Sequence, residues 1–92
     1  MRINFYATLR SAIGQNFVEL PLAEGTSVVE LAREIARRWP ALGDRILDAE
    51  GEISGQVHFM IGGRNIRWLP MGSATPLSCD EVIDVFRPTA GG

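Results

Sequence analysis

Hydrophobic residues along this chain change their spacing several times, and each change marks an element. Ile3, Phe5 and Ala7 alternate with Asn4, Tyr6 and Thr8, the period-two pattern of a half-buried strand. Val18, Leu20 and Leu22 repeat it against Phe17 and Glu19. The connection through Ser11 to Gly14 is short, so the two strands are expected to form a hairpin. The spacing then becomes helical. Val28, Leu31, Ala32, Ile35, Ala36 and Trp39 fall on one stripe, with Glu30, Arg33, Glu34, Arg37 and Arg38 opposite. Ser27 with Glu30 three residues on fits a capping box, Glu34 and Arg38 form an i,i+4 pair, and Pro40 marks the end.

Residues 41–55 read as loop, with a short helical turn around Asp44–Leu47. Val57, Phe59 and Ile61 alternate with His58 and Met60, and Gly62-Gly63 suits a two-residue hairpin turn that needs positive φ. Ile66 and Trp68 are placed in a short return strand, and residues 70–76 in a loop. Ile83 and Val85 alternate with Val82, Asp84 and Phe86 in the last strand. The order is β-β-α-β-β-β: an α+β fold whose mixed sheet of four to five strands is covered on one face by one main helix. At 92 residues the chain is expected to be one domain, 1–92, with a flexible tail over 87–92.

Strand parity also marks a surface. If Ile3, Phe5, Ala7, Phe59, Ile61, Ile83 and Val85 face the helix, Tyr6, Met60 and Phe86 face the other way. Large apolar groups on an uncovered sheet face point to a partner interface.

After the last strand come Arg87-Pro88-Thr89-Ala90 and a final Gly91-Gly92. Pro88 cannot donate to a sheet, so the chain should peel away there. Two glycines, free of Cβ atoms, can pass a narrow channel. The expectation is an end held out as a thin probe.

Composition narrows the field. A net charge of −2 gives no reason to expect nucleic acid. One cysteine cannot make an internal disulfide, no stretch approaches a membrane span, and the N-terminus lacks a long apolar segment, so cytoplasm is the expected location. All nine basic residues are arginine, leaving a carboxylate to offer and no lysine amine to receive one. Catalytic equipment is sparse. His58 and Cys79 are the only residues of their types, and they would form a nucleophile pair only if adjacent in the fold. No metal-ligand cluster shows, and Gly62-Gly63 lacks the following Lys-Ser/Thr of a phosphate loop.

Element order and chain end together resemble the ubiquitin-like, β-grasp sulfur carriers of the MoaD/ThiS family, and within it the small subunits of molybdopterin synthase. Three segments carry the likeness: Phe5-Tyr6-Ala7-Thr8-Leu9-Arg10; Val57 through Leu69 with its Gly62-Gly63 turn; and Thr75-Pro76-Leu77 through Gly92. There are departures. Cys79-Asp80 stands where the family often has Asp-Gly, so Asp80 is expected in a left-handed conformation. Gly62 replaces the usual Asn of the hairpin turn, and Arg87 replaces the first of two prolines, which should loosen the tail.

The resemblance implies a carrier that is not catalytic alone. A ubiquitin-activating-type adenylyltransferase, using ATP and Mg, would activate Gly92, and a persulfide donor would convert it to a thiocarboxylate. Gly91, Ala90, Thr89 and Pro88 would insert into the partner, while Tyr6, Met60 and Phe86 would meet its surface. The chain itself would bind no cofactor. The large subunit of molybdopterin synthase would take the sulfur. Alternative destinations are cysteine, thiamine or tRNA thiolation, and a different outcome is a protein modifier joined through Gly92 to lysines. A plain interaction domain with an idle tail is the remaining reading.

Overall fold

The computed structural model describes residues 1–88, so Thr89, Ala90, Gly91 and Gly92 lie outside the described residues. Among the described residues five strands and three α-helices form the framework: β1 (Arg2–Phe5), α1 (Ala7–Ile13), β2 (Phe17–Glu19), α2 (Val28–Arg38), α3 (Pro40–Ile46), β3 (His58–Ile61), β4 (Arg64–Asn65) and β5 (Val82–Phe86). The sheet order is β2-β1-β5-β3-β4. β1 and β5 are parallel at its centre, and the other pairs are antiparallel. This is the expected mixed sheet in an α+β fold.

The core lies on one face. Phe5, Val85 and Phe59 stand side by side across β1, β5 and β3, with Ile3 and Ile83 one pair along, and all five are buried. Val28, Leu31, Ala32 and Ile35 of α2 cover them, joined by Leu9 of α1 and by Leu42 and Ile46 of α3. The α2 stripe is as its periodicity predicts. Its start is fixed by the capping box: Ser27 Oγ accepts from the Glu30 N–H (3.2 Å), and a Glu30 carboxylate oxygen accepts from the Ser27 N–H (2.9 Å). Replacing Ser27 with Ala orphans one of those donors. It is expected to cost about 1 kcal/mol of stability in denaturant unfolding, with an unchanged m-value. On the outer face Glu34 accepts from both Arg37 and Arg38, and these two bonds hold its carboxyl down at about 2.

Four expectations are corrected. β1 and β2 do pair antiparallel, but a helix joins them, not a tight hairpin. Tyr6 is the last extended residue (φ −126°), and Ala7 turns the chain at φ +51°. Ala7 is thus an exposed helix start instead of an inward strand residue. Leu9 is buried in the core while Ala12 and Ile13 pack against it, and Gly14 ends the helix in the left-handed conformation.

Second, Pro40 closes α2 but also opens α3, because a proline at the first helical position removes a donor that has no partner anyway. Helical cover is therefore three helices, with α2 the longest. Third, the return strand stops at Asn65. The Asn65 side chain accepts from the Arg67 N–H (3.0 Å) and turns Ile66–Trp68 into a 3₁₀ helix, burying Ile66 and leaving Trp68 83% exposed. Fourth, Asp80 is not left-handed; among the described residues Ala7 is the only non-glycine with positive φ. The Gly62-Gly63 turn is as expected, at φ +56° and +82°.

Candidate functional site

The face of the sheet away from the helices carries the residues that parity marks. Asn4, Asp84 and Met60 sit side by side across β1, β5 and β3. Phe86 and His58 form the next row, their rings 5.1 Å apart, and Tyr6 follows β1 alongside, its N–H reaching the Val85 carbonyl. Tyr6, Met60 and Phe86 come together around one open groove of about 520 Å³, completed by Ala7, Gly63, Asp84, Arg87 and Pro88. Segments far apart in sequence meet here because β5 inserts between β1 and β3. A second groove beside it shares Met60, Gly63 and Phe86 and runs on to Trp68.

The groove floor is polar at one point. One oxygen of Asp84 accepts from both the Asn4 amide and the Tyr6 hydroxyl, each at 2.9 Å. The hydrogen bond to Asp84 holds the proton on Tyr6 and raises its pKa; partial burial and the carboxylate's charge add to this, and Arg2 opposes it. Tyr6 is the only tyrosine in the chain, so phenolate absorbance reports it alone. Its titration midpoint is expected above the ordinary value of about 10 and should fall toward it in Asp84→Asn. The folded-state pKa is the higher one. The bond's contribution to stability is therefore complete below the unfolded value and fades as pH rises through the folded one.

The tail begins at the edge of this groove. Pro88 lines it, and the Arg87 guanidinium donates to the Arg45 carbonyl (3.3 Å) and to Gln56 Oε1. At residue 87, then, the side chain that stands in for a proline anchors the strand exit to α3 and to the loop before β3. The predicted insertion residues Thr89, Ala90 and Gly91, and the acceptor Gly92, lie outside the described residues.

His58 and Cys79 are not brought together. His58 pairs with Phe86 at the end of β5, whereas Cys79 precedes its start. Cys79 is exposed, and Glu24, which accepts its backbone N–H at 2.9 Å, pushes its thiol pKa up chiefly through a further hydrogen bond. A raised pKa leaves less thiolate, which argues against a nucleophile there. Among the described residues no three metal-ligating side chains converge, and no helix is long and apolar enough to cross a membrane.

Strand parity places Asp84 on the outward face, but no sequence signal gives it a part in the site. Its contact with Asn4 and Tyr6 depends on a parallel pairing between residues eighty positions apart, which no local pattern encodes.

Known proteins of this shape narrow the possibilities. The chain is 28% identical over 92 residues to small archaeal modifier protein 3 of Haloferax volcanii, covering 100% of this chain and 98% of that one. Among solved structures, SAMP1 from Haloferax volcanii superposes with a TM-score of 0.85 at 18% identity, covering 100% and 98% of the two chains. The putative molybdopterin converting factor subunit 1 from Pyrococcus furiosus superposes at 0.74 with 23% identity, covering 96% and 95%. At those identities the two structures establish the ubiquitin-like fold. The family model described as ThiS matches residues 3–92, and the chain belongs to the ThiS family.

Proposed function

We propose that this chain is a sulfur carrier that works through its terminal Gly92 and presents that residue from a fold with no chemistry of its own. The observation that carries the reading is the position of Gly91-Gly92. They lie five and six residues beyond the end of β5, on a tail whose root borders the Tyr6–Met60–Phe86 groove. Membership of the ThiS family supports it.

A carboxylate is a poor acyl donor until its oxygen is made a leaving group. In the proposed cycle Gly92 attacks the α-phosphorus of ATP on an adenylyltransferase, giving an acyl-adenylate and pyrophosphate. The outer sulfur of a persulfide attacks the carbonyl and expels AMP. A second thiol then cleaves the resulting acyl disulfide, leaving a thiocarboxylate on Gly92 and a disulfide on the donor. Tyr6, Met60 and Phe86 dock the partner, and residues 88–91 reach its active site. ATP and Mg belong to that partner, and the setting is cytoplasmic. The destination we favour is the large subunit of molybdopterin synthase.

A second reading has its own support. The full-length relative at 28% identity is named a modifier protein. A modifier would use the same acyl-adenylate and then form an amide with a lysine. The shared first step is tested by ATP–pyrophosphate exchange with the adenylyltransferase of the same genome. Exchange that depends on this chain is expected, and its absence contradicts both readings. High-mass conjugates in lysate that vanish when Gly92 is deleted would favour the modifier. Sulfur transfer to a pterin precursor by the large subunit would favour the carrier.

A further inference from the structure

We propose that Asp84 selects the partner of the open-face groove, and that the adenylyltransferase inserts one arginine or lysine side chain there between apolar neighbours. This rests on that face being the docking surface. The carboxylate is half-buried at the floor of an apolar groove, and its charge is only partly met. One oxygen takes two neutral donors, from Asn4 and Tyr6. Among the described residues the other oxygen has no hydrogen bond, and the three ion pairs all lie elsewhere, each involving a residue of α2.

Arg2 and Arg87, two cations near this groove, are engaged in other contacts. Arg2 donates to the side-chain amide oxygen of Asn4 (3.0 Å) and lies over the Phe17 ring, 3.9 Å from its centre. Arg87 donates to Arg45 and Gln56.

Covering this groove with a purely apolar surface would strip water from an unpaired carboxylate, which is strongly unfavourable. Covering it with a cation satisfies the open oxygen. The walls favour the same occupant, because the faces of Tyr6 and Phe86 attract a guanidinium or ammonium group. Charge and ring chemistry thus converge on one kind of side chain.

The test measures binding of the full chain to the adenylyltransferase of the same genome by calorimetry at two salt concentrations, with the KM for the chain in adenylation alongside. Asp84→Asn keeps an oxygen for Asn4 and Tyr6, and a cooperative thermal transition verifies its fold. It is expected to weaken binding by at least about tenfold, to flatten the salt dependence, and to raise KM more than it lowers kcat. Asp84→Arg should weaken binding further and be rescued by a partner variant carrying Asp in place of its cation. Unchanged affinity and salt slope in Asp84→Asn would overturn the proposal, while leaving Gly92 chemistry intact. Failure of the wild-type chain to be adenylated would instead sink the functional reading and this inference with it. Wild-type dimerisation that is lost in Asp84→Asn would also overturn it, in favour of a second copy as the occupant.

Discussion

Deleting Gly92 alone is expected to reduce acyl-adenylate formation by more than about a hundredfold while leaving the melting temperature unchanged. The magnitude follows from reach. Removing one residue draws the terminal carboxylate back by roughly 3.3–3.6 Å, and a misplacement of about 1 Å at a reacting centre already costs on the order of 10²-fold. The unchanged stability follows from packing, because among the described residues every buried core residue lies between Ile3 and Val85. Adding one leucine beyond Gly92 should do the same from the other direction, by pushing the carboxylate out and placing a branched side chain where a glycine passes. Chain-dependent pyrophosphate exchange checks both variants. A deletion that kept near-normal exchange would place the chemistry elsewhere.

Phe59→Ala is expected to be the most damaging single change to the fold. Phe59 is fully buried and sits opposite Val85, which sits opposite Phe5, so its ring spans the middle of the sheet beneath α2. Truncating a buried phenylalanine removes its transfer free energy and leaves a cavity, costing about 3–5 kcal/mol. A domain of this size has a total stability of about 5–14 kcal/mol at roughly 0.05–0.15 kcal/mol per residue. The loss is therefore a large share of the whole, and the melting temperature should fall by more than about 12 °C. Calorimetry decides it. A shift of only a few degrees would mean that the ring is not part of a tightly packed core.

How legible the molecule is from sequence differs by element, for physical reasons. α2 declares itself because an eleven-residue amphipathic helix with a reciprocal cap repeats its signal three times over. The Gly62-Gly63 turn declares itself because both residues need positive φ. α1 hides behind a strand-like opening. Ile3, Phe5 and Ala7 alternate perfectly, yet Ala7 breaks the strand in a conformation rare for alanine. The Leu9, Ala12 and Ile13 spacing ending at Gly14 was the available sign.

α3 hides behind Pro40, whose role as a helix starter competes with its role as a helix breaker. The return strand was cut short by one side chain, Asn65, acting as a local cap. For the candidate site, parity sufficed to place Tyr6, Met60 and Phe86 on one face. It could not supply strand order. Only the insertion of β5 between β1 and β3 brings Asp84 beneath Tyr6 and turns three scattered residues into one groove.

Fragmentation mass spectrometry of the intact chain, after incubation with its adenylyltransferase, ATP, a persulfide donor and a thiol, tests the central claim most directly. Exchange of oxygen for sulfur should add about 16 Da, and the increment should map to the fragment containing Gly92. A chain of unchanged mass, or one whose added sulfur maps to Cys79, would contradict the account.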